Sequence, residues 1–171
     1  MKDPKGTFFV QVEKDYIGFA SGHFITYDGH KCETLHGHNY RARIAMGGPL
    51  DENYYVVDFV RTKRMMKMIC DEIDHVVMLP LHNPQIELEI GDESVSARYK
   101  DSHYVFPRPD VVLLPIPNTT AEMLATYLCG RALEELEKLG VRDLSWIEIE
   151  VEESAGQSAV YREELSASRQ Q

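Results

Sequence analysis

His36-Gly37-His38-Asn39-Tyr40-Arg41-Ala42-Arg43-Ile44-Ala45-Met46 is the stretch on which the fold turns. Side chains along a strand alternate between two faces, so His36, His38, Tyr40, Ala42, Ile44 and Met46 fall in one phase. Two imidazoles stand at one end of that face and an apolar run at the other. Gly47-Gly48-Pro49 ends the strand. Upstream, Thr7 to Glu13 alternates with Phe8, Val10 and Val12 on one face, and continues raggedly through Tyr16-Ile17-Gly18-Phe19-Ala20 toward His23. A turn signal, Tyr27-Asp28-Gly29-His30, separates the two strands.

Downstream the period changes. Asp58 is a candidate N-cap for a helix in which Phe59, Thr62, Met66, Ile69 and Ile73 recur at three- and four-residue steps. A second helix starts at Thr119-Thr120-Ala121-Glu122, a capping-box pattern, runs through Leu124, Leu128, Leu133 and Leu136, and stops at Gly140. Trp146 to Glu153 and Ser158 to Glu163 close the chain as two strands joined by Ala155-Gly156-Gln157. Between the helices, Ile86, Leu88 and Ile90 alternate, Gly91-Asp92 turns, and Val95, Ala97 and Tyr99 alternate back, an inserted hairpin within residues 84–113. Strand, strand, helix, helix, strand, strand predicts an α+β domain: an antiparallel four-stranded sheet with two helices on one face.

The 171 residues are expected to form one domain, 1–171, with a real core, since 43% are apolar and no period repeats. Apolar runs such as Val111 to Ile116 are too short to cross a bilayer, and Met1-Lys2-Asp3-Pro4 lacks the apolar stretch of a signal peptide, so no membrane association and a cytoplasmic location are expected. Cys32, Cys70 and Cys129 are odd in number and widely spaced, which suits a reducing compartment. A formal charge of -10 argues against nucleic acid as a partner.

Catalytic zinc sites use three protein ligands and keep a position open. His36 and His38, two apart in a strand, can reach one ion, and the Ser21-Gly22 step would let His23 join them; the alternative is an ordinary surface pair. Cys32, four residues before His36, could be a fourth ligand, an apolar filler or a reactive thiol. A finger-type site needs a second nearby cysteine, so a thiolate base or nucleophile is better supported. Cys70 and Cys129 read as packing residues. Asp74-His75 follows the first helix as either an oriented imidazole or a solvated helix end. Glu153 falls in the apolar phase of Ile147, Ile149 and Val151, which makes it either a strand-end residue in water or a recognition group for a ligand with adjacent N–H donors.

Phe19-Ala20-Ser21-Gly22-His23, Cys32-Glu33-Thr34-Leu35-His36-Gly37-His38-Asn39-Tyr40, Val57-Asp58-Phe59, Asp74-His75, Asn118-Thr119-Thr120-Ala121-Glu122, Glu153-Ser154 and Ala159-Val160-Tyr161 occur in order. Together they resemble the 6-pyruvoyl tetrahydropterin synthase and 6-carboxytetrahydropterin synthase family over about residues 8–165, the insert aside. The resemblance implies a T-fold, with subunits joining sheets into a barrel, as a homohexamer of two trimers with sites between subunits. It implies a zinc ion (Zn2+) on His23, His36 and His38, Cys32 as base, and Asp74 with His75 relaying protons. Glu153 would anchor the pterin ring, and Thr120 would lie in the substrate site. The implied reaction is a carbon-oxygen lyase step on 7,8-dihydroneopterin triphosphate that eliminates triphosphate.

The three residues between Cys32 and His36 resemble the bacterial 6-carboxytetrahydropterin synthases of queuosine and deazapurine biosynthesis, whereas animal 6-pyruvoyl enzymes have a longer spacing. A branch linked to folate synthesis has glutamate in place of the cysteine, and Cys32 argues against it. Two features depart from the family pattern: Thr119 stands where Pro is usual, and the insert is absent from compact members. The expectation is therefore a zinc-dependent lyase giving 6-carboxy-5,6,7,8-tetrahydropterin. Its rivals are the 6-pyruvoyl product or another pterin step of a folate-like pathway, a non-catalytic zinc-stabilised pterin- or purine-binding module, and a stable domain with incidental histidines. Lys31 and Arg61 to Arg64 are candidates for the triphosphate only by charge.

Overall fold

The alternating stretch around Tyr40 forms a long strand at the centre of the sheet. In the computed structural model, which describes residues 6–165, the chain begins with β1 (Phe8–His23), a short hairpin of β2 (Thr26–Tyr27) and β3 (Lys31–Cys32), and β4 (His36–Gly48). Helix α1 (Phe59–Asp71) and β5 (Val76–Pro80) follow. Then come β6 (Glu87–Ile90), β7 (Ser94–Tyr99), β8 (Ser102–Pro107) and β9 (Val111–Leu114), and finally α2 (Ala121–Lys138), β10 (Trp146–Ser154) and β11 (Gln157–Glu164).

The expected four strands are present and antiparallel, but the sheet is larger: its order is β11-β10-β4-β1-β5-β9, six strands. The two additions are parallel, β5 to β1 and β9 to β5. Val76-Val77-Met78-Leu79-Pro80 and Val111-Val112-Leu113-Leu114 are continuous apolar runs, the pattern of parallel strands covered on both faces, and carry no alternation to announce them. The segment between β5 and β9 is more than a hairpin. It is a three-stranded antiparallel sheet, β6-β7-β8, and β9, which follows it, belongs to the main sheet.

Both helices pack on one face. Ile69, Cys70, Leu124, Leu128 and Cys129 share a core with Ile17, Phe19, Tyr40, Ile44, Ile147, Ile149 and Val151. Phe59 is outside it, half exposed in the first turn, while Thr62, Met65, Met66, Ile69 and Cys70 form the buried face of α1. Asp58 caps α1 by accepting the Val60 and Arg61 N–H groups at 2.7 and 3.1 Å. The cap of α2 is Thr120, one residue later than the capping box places it, so Glu122 does not stand at the capping-box position.

A second core lies beneath the insert, where Phe24, Leu79, Ile86, Val95, Ala97, Tyr99 and Val111 cluster. The Tyr99 hydroxyl is buried there without a hydrogen-bond partner among the described residues. An unpaired buried hydroxyl is destabilising, so Tyr99→Phe is expected to stabilise the protein by about 1 kcal/mol and raise Tm. A lower Tm would reveal a partner for that oxygen.

One irregularity sets the site. Between Glu13 and Gly18 the pairing of β1 with β4 slips: Glu13 faces Arg43 and Gly18 faces Arg41, five steps against two. The odd surplus of three moves the inward phase from Val12 to Ile17, Phe19, Ser21 and His23, and this is the source of the ragged reading. Gly18 permits the bulge, because a Cβ there would lie 2.3 Å from the Tyr40 carbonyl oxygen.

Candidate metal centre and active site

The bulge puts His23 on the same face as the β4 histidines. Ser21 pairs with His38 and His23 with His36, and residues directly opposite in an antiparallel pair share a face. The ligand atoms of His23, His36 and His38 all lie within 4.8 Å of one another, close enough to hold one metal ion. The donor chemistry fits. His23 Nδ1 lies 2.9 Å from the Thr119 carbonyl and His36 Nδ1 lies 2.8 Å from the Thr34 carbonyl. Each Nδ1–H donates there, which fixes the tautomer and leaves the Nε2 lone pair for a metal.

Burial is the main effect on His23, whose side chain is 2% exposed. It lowers the pKa, and His36 and His38 add to the lowering, while the Thr119 contact and Glu153 oppose it. A metal ligand must be a neutral imidazole, and this environment favours that form.

Glu153 reaches the triad. Its Oε1 is 3.6 Å from His23 Nε2 and 3.7 Å from His38 Nε2, and it accepts from the Tyr40 hydroxyl at 3.3 Å. It sits where the pairing of β10 with β11 slips between Glu152 and Ser154, so the core-phase carboxylate turns into the site rather than into water. The Tyr40 oxygen is also 3.1 Å from His23 Nε2; burial, then Glu153, drives its pKa up, so it stays a neutral donor.

The remaining candidates stand outside the three-histidine group. Cys32, on β3, is half-buried against the insert's core. Burial pushes its thiol pKa up and Glu33 adds to that. Asp74 and His75 are tied to the backbone of β1: Ala20 N–H donates to Asp74 Oδ1 at 2.7 Å, and His75 N–H donates to the Ala20 carbonyl at 2.7 Å. His75 Nδ1 is 2.9 Å from Asp74 Oδ1, with the imidazole 82% exposed. It borders a shallow depression that also takes in Ala20, Gly22, Gly37 and Asn39 and, from the triad's phase, Ser21 and His38. Burial alone would raise the Asp74 pKa, but the Ala20 N–H and His75 outweigh it and hold it below the usual carboxylate value. Thr120 caps α2, accepting the Met123 N–H at 3.4 Å. Cys70 and Cys129 are fully buried, and burial pushes the Cys70 thiol up to about 12.

Three residues at the site are given no role there by the sequence. Thr119 is fully buried, with its carbonyl on His23 and its hydroxyl donating to the Phe24 carbonyl at 3.1 Å. Tyr40 shares the histidine phase and was visible only as an apolar position. Glu33 places a carboxylate 3.8 Å from His36 Nε2; the i,i+3 spacing to His36 was its one signal.

A family model for 6-pyruvoyl tetrahydropterin synthase matches residues 11–164. A Methanocaldococcus jannaschii relative provisionally named 6-carboxy-5,6,7,8-tetrahydropterin synthase is 38% identical over 87% of this chain and 91% of its own length. The 6-carboxy-5,6,7,8-tetrahydropterin synthase of Aquifex aeolicus is 31% identical over 78% of this chain and 77% of its own. Among solved structures, the 6-pyruvoyl tetrahydropterin synthases of Plasmodium vivax (29% identity) and Plasmodium falciparum (32%) each superpose with a TM-score of 0.87, covering 94% of this chain and all of theirs. Their T-fold is the α+β arrangement described above. The chain therefore belongs to the 6-pyruvoyl tetrahydropterin synthase family and is a lyase of the tetrahydropterin synthase type.

Proposed function

We propose that this lyase acts with zinc on 7,8-dihydroneopterin triphosphate and water, eliminates triphosphate, releases the two outer side-chain carbons as acetaldehyde and gives 6-carboxy-5,6,7,8-tetrahydropterin, with His23, His36 and His38 as zinc ligands. The observation that carries the reading is the convergence of three oriented imidazoles and the Glu153 carboxylate on one face of β1, β4 and β10. A zinc ion held there would supply electrophilic stabilisation for the negative charge that develops when a proton is removed beside a carbonyl. Glu153 accepts the adjacent N–H groups of the pterin edge and orients the ring, and Tyr40 holds that carboxylate in place. Cys32 takes the proton. Burial and Glu33 both favour its protonated form, so a positive charge nearby would strengthen it as a base.

Asp74 and His75 relay the proton from a second copy of the chain. The exposed His75 imidazole, paired with Asp74 and bordering a depression that His38 also lines, supports a site between subunits and a barrel-forming hexamer. Thr120 keeps its hydroxyl proton after capping α2 and can donate it to substrate. Three cysteines without a disulfide suit a cytoplasmic enzyme.

A second reading, the 6-pyruvoyl product, is favoured by Glu33. Its carboxylate stands beside His36 and could serve as base in place of Cys32, and the Plasmodium structures carry the 6-pyruvoyl name. Incubating the zinc-loaded protein with the triphosphate and weighing the pterin product separates the two. A 6-carboxy product lost in Cys32→Ala and kept in Glu33→Gln is expected; a 6-pyruvoyl product with the reverse dependence establishes the second reading, and unconsumed substrate at full zinc occupancy overturns both.

A further inference from the structure

The β2–β3 hairpin that carries Cys32 is too small to hold itself. It has two residue pairs, Thr26 with Cys32 and Tyr27 with Lys31, and forms a sheet of its own; isolated two-stranded hairpins are marginal in water. Its outgoing strand is clamped at Thr26, which receives Asn118 Nδ2 on its carbonyl at 2.8 Å and Asn83 Nδ2 on its hydroxyl at 2.9 Å. The returning strand, with Cys32, is met by the insert. Cys32 packs on the cluster that Ile86, Val95, Ala97 and Tyr99 form with Phe24, Leu79 and Val111 of the main fold, the Tyr104 ring stacks on Phe24 at 5.3 Å, and Lys100 Nζ donates to the His30 carbonyl at the hairpin tip at 2.6 Å.

Lys100 occupies the turn between β7 and β8 with φ +50. A left-handed conformation costs a side-chain-bearing residue about 1 kcal/mol, and glycine or asparagine is the usual occupant of such a turn. A lysine there is explained by where its ammonium reaches.

We propose that the three-stranded insert β6-β7-β8 is a positioning device for Cys32, with Lys100 and Tyr104 as the residues that fix the β2–β3 hairpin relative to the three-histidine face. The proposal rests on the reading of Cys32 as base, and deepens it. A base must sit within hydrogen-bond reach of the proton it removes, and an error of about 1 Å is costly, on the order of 100-fold. The insert supplies the stiffness that two residue pairs cannot.

The test uses the full-length, metal-loaded protein and two readouts. Lys100→Gly removes the ammonium while glycine accepts the turn conformation freely, so the turn survives. The alkylation rate of Cys32 by iodoacetamide, followed by peptide mass, reports the hairpin without any turnover; Cys70 and Cys129 are buried internal controls. In Lys100→Gly that rate is expected to rise about threefold or more as the hairpin opens, and kcat to fall roughly tenfold with KM and metal content unchanged. Lys100→Arg, which keeps a donor, is expected to restore both, and Tyr104→Leu to repeat the defect that Tyr104→Phe avoids. An unchanged alkylation rate in Lys100→Gly and Tyr104→Leu overturns the proposal, as does a raised rate with normal kcat in an enzyme that needs Cys32. If Cys32→Ala keeps full turnover, the base reading falls by itself, and the alkylation rates alone decide whether the insert holds the hairpin.

Discussion

Alanine in place of His23 is expected to give a chain that purifies with less than about one-tenth equivalent of zinc and has no measurable turnover. The expectation follows from how this imidazole is held. Of the three proposed ligands it is the fully buried one, with Nδ1 engaged by the Thr119 carbonyl. Two histidines on a strand cannot close a three-point site, and the remaining Nε2 atoms would bind weakly and exchange. Burial lowers the His23 pKa and so favours the neutral imidazole that a metal needs. His36→Ala separates metal loss from misfolding. Its side chain is partly exposed, and among the described residues its polar and ring interactions are with the Thr34 carbonyl, Glu33 and the other site rings, so its metal-free form should melt with the metal-free wild type. Stoichiometric zinc in either variant, measured by elemental analysis on folded protein, would sink the assignment.

What could be read without the structure divides along physical lines. β4 was legible because it is covered on one face, so its alternation is clean from His36 to Met46. β10 was legible for the same reason, and Glu153 announced itself by breaking the phase. β5 and β9 were not, because parallel strands buried on both faces read as short apolar runs. β8 was missed because Tyr104, Val105 and Phe106 are apolar in both phases, although Tyr104 and Phe106 alone pack against the second core. The face of β1 that carries His23 could not be assigned at all: three surplus residues before Gly18 reverse the phase, and only the pairing with β4 counts them.

The same division runs through the candidate site. His23, His36 and His38 stood out by spacing, a property of the chain. Thr119 and Tyr40 act through contacts with residues far away in sequence, Thr119 on His23 and Tyr40 on Glu153, and neither has a local signature. Asp74-His75 was legible as a pair, but its placement on β1 depends on the Ala20 backbone.

The second large effect is expected at Glu153. A carboxylate offers two acceptors and no donor, the complement of a ring edge with two adjacent N–H groups. Glu153→Gln keeps shape and volume but turns one of those acceptors into a donor, so one ring N–H then faces an amide N–H. Losing a charge-assisted pair and leaving a donor unsatisfied amounts to roughly 3–4 kcal/mol, which predicts a fall in kcat/KM on the order of 100- to 1,000-fold. Glu153 also stands 3.6 and 3.7 Å from two metal-facing nitrogens, so a loss of activity alone could reflect a disturbed metal centre. The zinc affinity of the variant distinguishes these. If Glu153 anchors the ring, zinc stays bound in Glu153→Gln and the binding of an unreactive pterin weakens in parallel with kcat/KM. If Glu153 acts on the metal instead, zinc affinity falls and pterin binding to the reloaded variant is normal. The first outcome is expected, because the Tyr40 hydroxyl already engages the carboxylate and three imidazoles converge on the metal position without it.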